Sequence, residues 1–316
     1  METTKKNVYE IVAETIIKMV ETEGVLPWHK PWTCSSKLAD DAIFGEARSW
    51  SNGRYYRGIN QFILGFCGQW ATAKQIFDNG GHIKKGCKAT PVVFWSFMVK
   101  DEKTGKLRPF DENKDSNSDK IPFLRYINVF RIGRDTTDIE EKDFSSKKKD
   151  TTNIEESFKA DEYAESIINE YVSRETINFS NAINSNRAFY APFADKVVVP
   201  NKSSFENESE YYSTAFHELT HSTGAKSRLN RDGIVKNDGF GNNLYSKEEL
   251  IAEMGAAMLL HITNLNIPTT LTNNAAYIKG WLKQIKEEPK ILVFAASQAE
   301  KAVKYILNGK AEKENK

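Results

Sequence analysis

The chain has 316 residues, of which 40% are hydrophobic and 28% are charged, as in folded globular proteins rather than disordered or fibrous ones. This length gives room for two domains, each with its own core. No apolar run approaches the length of a membrane span, the charged first residues are unlike a signal peptide, and the three cysteines form no CxxC pair. We therefore expect a cytoplasmic protein without membrane association.

The formal net charge of +1 conceals a basic first part and an acidic second part. Residues 1–134 contain 21 Lys and Arg against 15 Asp and Glu, whereas the rest of the chain contains 23 against 28. From Arg48 to Lys100 there are eight basic residues and one acidic residue, Asp78. Such an asymmetry indicates that the first part binds a polyanion.

The first part begins with an amphipathic pattern. Apolar residues recur at helical spacing over residues 7–23, which predicts a helix that ends at Gly24. The next segment, LPWHKPW, has two tryptophans flanked by prolines and is predicted to be extended and stiff. Its Trp28 ring would serve either as a packing anchor or as a platform on which bases stack.

A loop rich in arginine and tyrosine follows, with the sequence SNGRYYRGIN. Arginine pairs with phosphates and aromatic rings stack on bases, so this loop indicates a nucleic-acid surface. A basic, glycine-bounded turn over residues 79–88 would extend this surface, although a solvated hairpin tip is the alternative. The candidates for phosphate contacts are Arg54, Arg57, Lys84, Lys85 and Lys88, and those for base contacts are Tyr55, Tyr56 and Trp28.

The remaining elements of the first part are two short helices and two apolar strands, predicted over residues 60–66, 72–78, 90–99 and 123–132. Residues 101–120 are polar and predict a hairpin insertion or a loop. Residues 135–155 are charged and lack periodicity, which predicts a linker. The chain is thus divided into a first domain at 1–134, a linker at 135–155, a second domain at 156–310 and a disordered tail at 311–316.

The second part opens with a predicted helix over residues 155–173. Short strands are predicted over residues 177–179, 188–190 and 196–199, and two helices over 272–287 and 289–307 close the chain. The strand at 196–199 is expected to lie beside the helix that contains the sequence HELTH, where it could align a substrate backbone.

The HELTH sequence places His217 and His221 four residues apart in a run without Gly or Pro. On a helix both imidazoles share one face and can bind the same ion. HExxH is typical of zinc hydrolases, in which Glu218 would take a proton from the metal-bound water. Two helical histidines that share a solvated face by chance are the alternative.

A catalytic zinc needs a third protein ligand. The segment from Tyr245 onward has helical periodicity, with Ser246 as a candidate N-cap. We assign Glu249 to the metal and Glu253 to the orientation of a ligand histidine through its free ring N–H. Glu253 as the ligand, or Glu249 as a mere capping residue, are the alternatives. Tyr245 is a candidate oxyanion stabiliser.

Two further features of this segment bear on the site. The small residues Gly255, Ala256 and Ala257 predict close packing against a neighbouring helix. His261, near the end of the same helix, is expected at the surface or at the helix terminus rather than on the metal.

The strings HELTHSTGAKSRLNR and FGNNLYSKEELIAEMGAAML resemble the metallopeptidase domain of ArdC-type antirestriction proteins. GVLPWHKPW, NGRYYRGIN, QWATAKQIFDNGGHIKKGCKATPVVFW and LRYINVFRI resemble the N-terminal domain of that family, in the same order. Cys87 departs from the family pattern, which has an acidic residue there. The resemblance covers nearly the whole chain except residues 101–120 and 135–155.

This resemblance implies an α+β chain of two domains. The first is a small mixed α/β domain that binds single-stranded DNA, and the second is a zincin-like metallopeptidase domain with a small sheet and an HExxH helix. The leading hypothesis is a plasmid or phage antirestriction protein with Zn²⁺ on His217, His221 and Glu249 and a host restriction enzyme or other protein as substrate. The alternatives are a DNA-covering protein with a structural zinc, and a metal-dependent hydrolase of nucleic acid.

Overall fold

The computed structural model of the chain describes residues 6–30, 47–101, 104–111, 115, 119–144, 160–182, 187–236, 243–265 and 275–308. The helices are α1 (Val8–Glu23), α2 (Ile59–Leu64), α3 (Ala73–Asp78), α4 (Ala160–Glu175), α5 (Glu208–Ser222), α6 (Asp232–Val235), α7 (Asn243–Ile262), α8 (Ala275–Glu287) and α9 (Lys290–Asn308). The strands are β1 (Arg48–Ser49), β2 (Gln69–Ala71), β3 (His82–Ile83), β4 (Thr90–Lys100), β5 (Leu107–Pro109), β6 (Ile121–Arg131), β7 (Thr136–Thr137), β8 (Asn178–Ala182), β9 (Phe189–Ala191) and β10 (Lys196–Pro200).

The mixture of helices and strands in both parts confirms the predicted α+β class. Among the helices of the described residues, none combines the length and the apolar character that a membrane-spanning helix needs. The predicted tail at 311–316 lies outside the described residues.

Helix α1 begins and ends as its sequence predicts. The side chain of Asn7 accepts a hydrogen bond from the Glu10 backbone N–H, and the Glu10 carboxylate accepts one from the Asn7 backbone N–H, which forms a capping box. Gly24 ends the helix with a φ of 71°, a left-handed conformation that glycine adopts without steric cost. The next segment differs from its prediction, because Pro27–His29 forms a 3₁₀ turn rather than an extended chain.

The first part is built on a five-stranded sheet with the order β1-β2-β6-β4-β5. Its longest contact is the antiparallel pair of β4 and β6, which runs in register from Thr90 opposite Val129 to Met98 opposite Ile121. The predicted insertion contributes strand β5, which pairs with the end of β4. Helices α1 and α2 pack against β4.

Residues 135–144 belong to the first part, although they were predicted to start the linker. Strand β7 in this segment pairs with β3. The Trp50 indole N–H donates to the Glu140 carbonyl at 2.8 Å, and the Gln69 side-chain amide donates to the Lys142 carbonyl at 2.6 Å. The predicted boundary at residue 134 therefore lies within a packed region, and residues 145–159 lie outside the described part.

The second part has a three-stranded sheet with the order β8-β10-β9. Strand β10 is parallel to β8 over residues 196–200 and antiparallel to β9 over residues 196–198. Strand β10 lies beside α5, as predicted for residues 196–199. Because it is the central strand, however, it has no free edge along most of its length on which to align a substrate backbone. Strand β9 is an outer strand of this sheet and also contacts α5.

A single hydrophobic cluster includes buried residues of both parts. Helix α1 packs against α8 and α9. The Trp28 ring makes edge contacts with Phe62 of the first part and with Trp281 of the second, each with ring centroids 6.4 Å apart. Burial of apolar surface stabilises by about 25 cal/mol per Å², so this shared core holds the two parts together.

Candidate metal centre and nucleic-acid surface

Helix α5 carries the HExxH motif. Asn207 caps its first turn by accepting a hydrogen bond from the Glu210 backbone at 3.0 Å, and Phe216 and Leu219 are fully buried. The packed side of the helix fixes its rotation about its own axis. His217 and His221 consequently share a face, with their Nε2 atoms 3.1 Å apart.

Helix α7 crosses α5 and brings Glu249 to these two imidazoles. The Oε2 atom of Glu249 lies 3.5 Å from His217 Nε2, and its Oε1 atom lies 3.4 Å from His221 Nε2. The helices approach closely at Gly255, where a Cβ would lie 2.6 Å from the Thr220 Cγ2 atom. The prediction of close packing at Gly255 is confirmed. Ser246 is inside α7 rather than at its N-cap, so Glu249 does not act as a capping residue.

The three donor groups have the geometry of a metal site. One ligand atom from each of His217, His221 and Glu249 lies within 4.8 Å of the other two. Two ligands about 2.0–2.1 Å from a tetrahedral zinc lie about 3.3 Å from each other. The two Nε2 atoms, 3.1 Å apart, match this spacing, and each histidine has one oxygen of Glu249 at 3.4–3.5 Å, Oε2 for His217 and Oε1 for His221. The residues therefore fit a divalent ion of the zinc type.

The electrostatics of this cluster favour a positive charge between the side chains. Burial lowers the pKa of His221, but hydrogen bonds to the carboxylates of Glu248 and Glu249 outweigh it and raise the pKa to about 10. Burial raises the pKa of Glu249, yet the hydrogen bonds from the two histidines bring it well below its usual range. A bound cation would take the place of the proton that these carboxylates attract.

The ring N–H of His221 is oriented by Glu248 rather than by Glu253, which corrects the sequence prediction. Glu248 Oε1 lies 3.3 Å from His221 Nδ1. Arg231 holds this carboxylate, with its Nε at 3.0 Å from Glu248 Oε2, and also donates to Thr223 Oγ1 at 2.6 Å. All these groups are buried. The hydrogen bond at Nδ1 leaves Nε2 of His221 for a metal.

Glu253 has a different set of partners. Its carboxylate accepts hydrogen bonds from the Trp28 indole N–H at 2.8 Å and from the Tyr277 hydroxyl, and it lies 3.5 Å from His29 Nε2. Burial raises the pKa of Glu253 to about 7. Burial, and then the charge of His217, lower the pKa of His29 to about 4. Glu253 thus fastens the 3₁₀ turn of the first part to the helix that carries Glu249.

Three other predicted residues complete the description of the site. Glu218 is buried on α5, next to His217. The side chain of Tyr245, the candidate oxyanion stabiliser, lies outside the described part of the structure. His261 packs with its ring centroid 4.8 Å from that of Phe66, and burial lowers its pKa to about 4. His261 thus lies in the last turn of α7, as expected, and is half-buried against the first part rather than at the surface.

The predicted base-contacting rings are mostly occupied within the protein. Trp28 is fully buried and cannot stack on a base in this structure. Burial raises the pKa of Tyr56 to about 12, and its side chain packs on the shared core. The Arg48 guanidinium lies 5.1 Å from the ring centroid of Tyr55. Tyr55 thus keeps only part of its surface exposed.

The predicted phosphate-contacting residues fall into two groups. All five are exposed, but Arg57 and Lys84 also bind other groups of the protein, which sets them apart from Arg54, Lys85 and Lys88. Arg57 donates to Glu300 Oε1 at 3.0 Å across the boundary between the two parts, and Lys84 Nζ donates to the carbonyls of Gly133 and Arg134, each at 2.9 Å. Arg57 and Lys84 therefore have structural roles besides any contact with a nucleic acid.

The two parts match two known families. Residues 6–130 match the N-terminal domain of the anti-restriction factor ArdC, and residues 162–298 match a zincin-like metallopeptidase family. The crystal structure of the antirestriction protein ArdC from plasmid R388, in metal-free form, has a TM-score of 0.64 to this chain at 26% identity. This likeness covers 97% of the chain and 100% of ArdC. The chain has the two-domain composition of an ArdC-type protein.

An Mn(II)-bound crystal structure of R388 ArdC is similar to the chain with the same TM-score of 0.64. A DNA primase TraC from Escherichia coli is 33% identical over 97% of the chain, and a second TraC primase is 33% identical over 96%. The ArdC-type chain spans only 28% and 20% of the length of these two primases. The uncharacterised protein y4eC of Sinorhizobium fredii is 25% identical over 96% of the chain.

Proposed function

We propose that this ArdC-type chain is an antirestriction protein that binds single-stranded DNA and hydrolyses peptide bonds at a zinc centre. The observation that carries the peptidase proposal is the convergence of His217, His221 and Glu249, within 4.8 Å of one another, beside the glutamate of HExxH. Two imidazoles and one carboxylate are a common ligand set of hydrolytic zinc, whereas manganese favours oxygen ligands. Zinc is therefore the metal that we assign to the site.

Zinc at this centre would lower the pKa of a bound water and polarise the substrate carbonyl. Glu218 would act as the general base, taking a proton from the attacking water and passing it to the leaving amine. Glu248, held by Arg231, keeps the proton of His221 on Nδ1, so that Nε2 is a metal ligand. Among the described residues the cluster has three protein ligands, whereas a structural zinc is closed by a fourth. This difference favours a catalytic zinc over a structural one.

The DNA-binding proposal rests on the first part of the chain. It matches the N-terminal domain of ArdC, and two relatives over nearly the whole chain are named DNA primases. Residues 1–134 carry 21 basic against 15 acidic residues, and the basic side chains Arg54, Lys85 and Lys88 are exposed. Positive charge of this kind binds phosphates in any sequence context.

The peptidase proposal is tested with the zinc-loaded full chain and its Glu218→Gln variant. Both are incubated with purified subunits of restriction enzymes and with casein, with and without single-stranded DNA. Loss of the general base should slow cleavage by about 10²- to 10⁴-fold. The zinc content of the variant should equal that of the wild type. Cleavage that is unaffected by the substitution, or absent from the zinc-loaded wild type on every substrate, would contradict a peptidase role.

A further inference from the structure

The aromatic rings that the sequence pattern suggests for base stacking are largely covered in the structure. Trp28 is fully buried, Tyr56 packs on the core, and Tyr55 is partly covered by Arg48. Stacking on single-stranded nucleic acid needs an accessible ring face. The aromatic residues that remain exposed in the first part are therefore the relevant ones.

The exposed rings are concentrated on one strand pair. Among the described residues of the first part, five aromatic side chains stand out as exposed. Phe77 is on α3, and the other four are on β4 and β6: Trp95 is 53% exposed, Tyr126 42%, Phe97 41% and Phe94 39%. Large aromatic side chains are normally buried, so four exposed rings on two adjacent strands indicate a binding surface.

The register of β4 and β6 places three of these rings on one face. Trp95 and Phe97 are two residues apart on β4, so their side chains point to the same side about 7 Å apart. Tyr126 lies opposite Val93 and is the diagonal neighbour of Trp95 on that side. Phe94 lies on the other face, opposite Arg125, whose guanidinium is 5.8 Å from its ring centroid. Trp95, Phe97 and Tyr126 thus form a row, which we call the aromatic row.

The charges beside the aromatic row favour a polyanion over a basic partner. Strands β4 and β6 have 11 residues each, with the sequences TPVVFWSFMVK and IPFLRYINVFR. They contain no Asp or Glu, and their three basic residues, Lys100, Arg125 and Arg131, lie on the face of Phe94. Beside the aromatic row, the Lys120 ammonium lies 4.3 Å from the ring centroid of Phe110, which contacts the ring of Phe97. An aromatic surface without acidic residues, in the basic part of the chain, has the composition of proteins that hold single strands by stacking and by phosphate contacts.

We propose that unpaired bases of single-stranded nucleic acid stack on the aromatic row of Trp95, Phe97 and Tyr126. This inference rests on the proposed DNA binding of the first part and assigns the residues that carry it. Lys120, which is exposed beside Phe97, together with the exposed Arg54, Lys85 and Lys88, supplies positive charge for the phosphates. Bases that are paired in a duplex cannot reach the rings, so the aromatic row discriminates single strands from duplexes.

The test measures the affinity of the full chain for a fluorescent oligothymidine and for a duplex of equal length. Trp95→Ala, Phe97→Ala and Tyr126→Ala should each weaken binding of the single strand by about 5- to 100-fold, because one stacking contact is lost. Trp95→Phe keeps a ring and should restore most of the affinity. The matched control is Phe77→Ala, which removes an exposed ring of the same part that lies outside the aromatic row.

The outcomes separate this inference from the proposed function. Weaker binding of the single strand, with duplex affinity and salt dependence unchanged, supports the aromatic row. A different outcome is that the wild type binds the single strand and that the alanine variants, shown by circular dichroism to be folded, bind it with equal affinity. The aromatic row would then not be the stacking surface, and a protein partner would be the better candidate for it. If the wild type binds neither nucleic acid, the DNA-binding proposal itself fails, and this inference fails with it.

Discussion

The metal centre and the nucleic-acid surface are built in different ways. Two of the three ligands of the metal centre lie four residues apart on one helix, and a single helix crossing at Gly255 supplies the third. The predicted nucleic-acid residues are spread over the first part, and several serve its packing: Trp28 lies in the core, Arg57 pairs with Glu300, and Lys84 binds backbone carbonyls. A helical repeat determines which side chains meet, whereas composition alone does not tell which ring or charge remains exposed.

The largest expected effect concerns the ligands of the metal centre. His217→Ala and His221→Ala each remove one of three donors and should weaken zinc binding by more than about 100-fold, beyond the loss caused by groups that only orient a ligand. Competition with a chromogenic chelator measures this loss. His82→Ala is the control, because that exposed histidine contacts Asp138 in the first part. Stoichiometric zinc in either ligand variant would mean that the ion binds elsewhere.

The sequence predicted the parts of this centre that depend on local spacing. His217 and His221 follow from the 3.6-residue helical period, and the lack of a Cβ at Gly255 indicates the close crossing. The sequence pattern pointed to Glu253 as the residue that orients a ligand histidine, whereas Glu248 has this position, because the rotation of α7 is set by its packing rather than by local spacing. Likewise, the pairing of Arg57 with Glu300 joins residues 243 positions apart, and the local sequence around either residue does not indicate its partner.

The second prediction contrasts two tryptophans of the first part. Trp28 is fully buried between the two parts and donates to Glu253, so Trp28→Ala should cost about 3–5 kcal/mol of unfolding free energy. Trp95 is more than half exposed, and Trp95→Ala should cost less than about 1 kcal/mol. Chemical denaturation of the full chain measures both values. Equal losses of unfolding free energy in the two variants would contradict the difference in burial between Trp28 and Trp95.

The burial of Trp28 between the two parts also bears on whether these parts can be separated. The sequence indicated two domains from its change in charge and composition, and both match their own families. The periodicity of α1 predicted its apolar stripe but not that this stripe would pack on α8 and α9. Contacts between distant elements depend on tertiary packing that has no local signature. Cleavage between residues 145 and 159 would leave the shared core intact as long as the fragments stay associated.

The third prediction concerns the two glutamates that flank Glu249 on α7. Glu248→Gln removes the charge that Arg231 and His221 share, and should weaken zinc binding by about 10- to 100-fold. Glu253→Gln should leave zinc affinity nearly unchanged, because its carboxylate binds Trp28 and Tyr277 instead. Zinc titration of both variants, with circular dichroism to confirm folding, distinguishes them. A larger loss in Glu253→Gln would restore the role that the sequence suggested for Glu253.

The smallest expected effect concerns the lysines of the basic turn. Each phosphate contact releases counterions, so the logarithm of affinity for a single strand falls with the logarithm of salt concentration by roughly 0.7 per contact. Lys85 and Lys88 are exposed, whereas the ammonium of Lys84 donates to the carbonyls of Gly133 and Arg134. Lys85→Gln and Lys88→Gln should therefore each lower the slope by up to roughly 0.7, and Lys84→Gln by less.

Binding of oligothymidine at several salt concentrations gives these slopes, with Trp95→Ala measured in parallel. Loss of a stacking ring lowers affinity at every salt concentration and leaves the slope unchanged, because no phosphate contact is lost. Loss of a lysine changes the slope and affects all sequences alike. If Lys85→Gln and Lys88→Gln leave the slope unchanged, the basic turn is a solvated hairpin tip. The positive charge that holds the phosphates would then lie nearer to the aromatic row, with Lys120 as its first candidate.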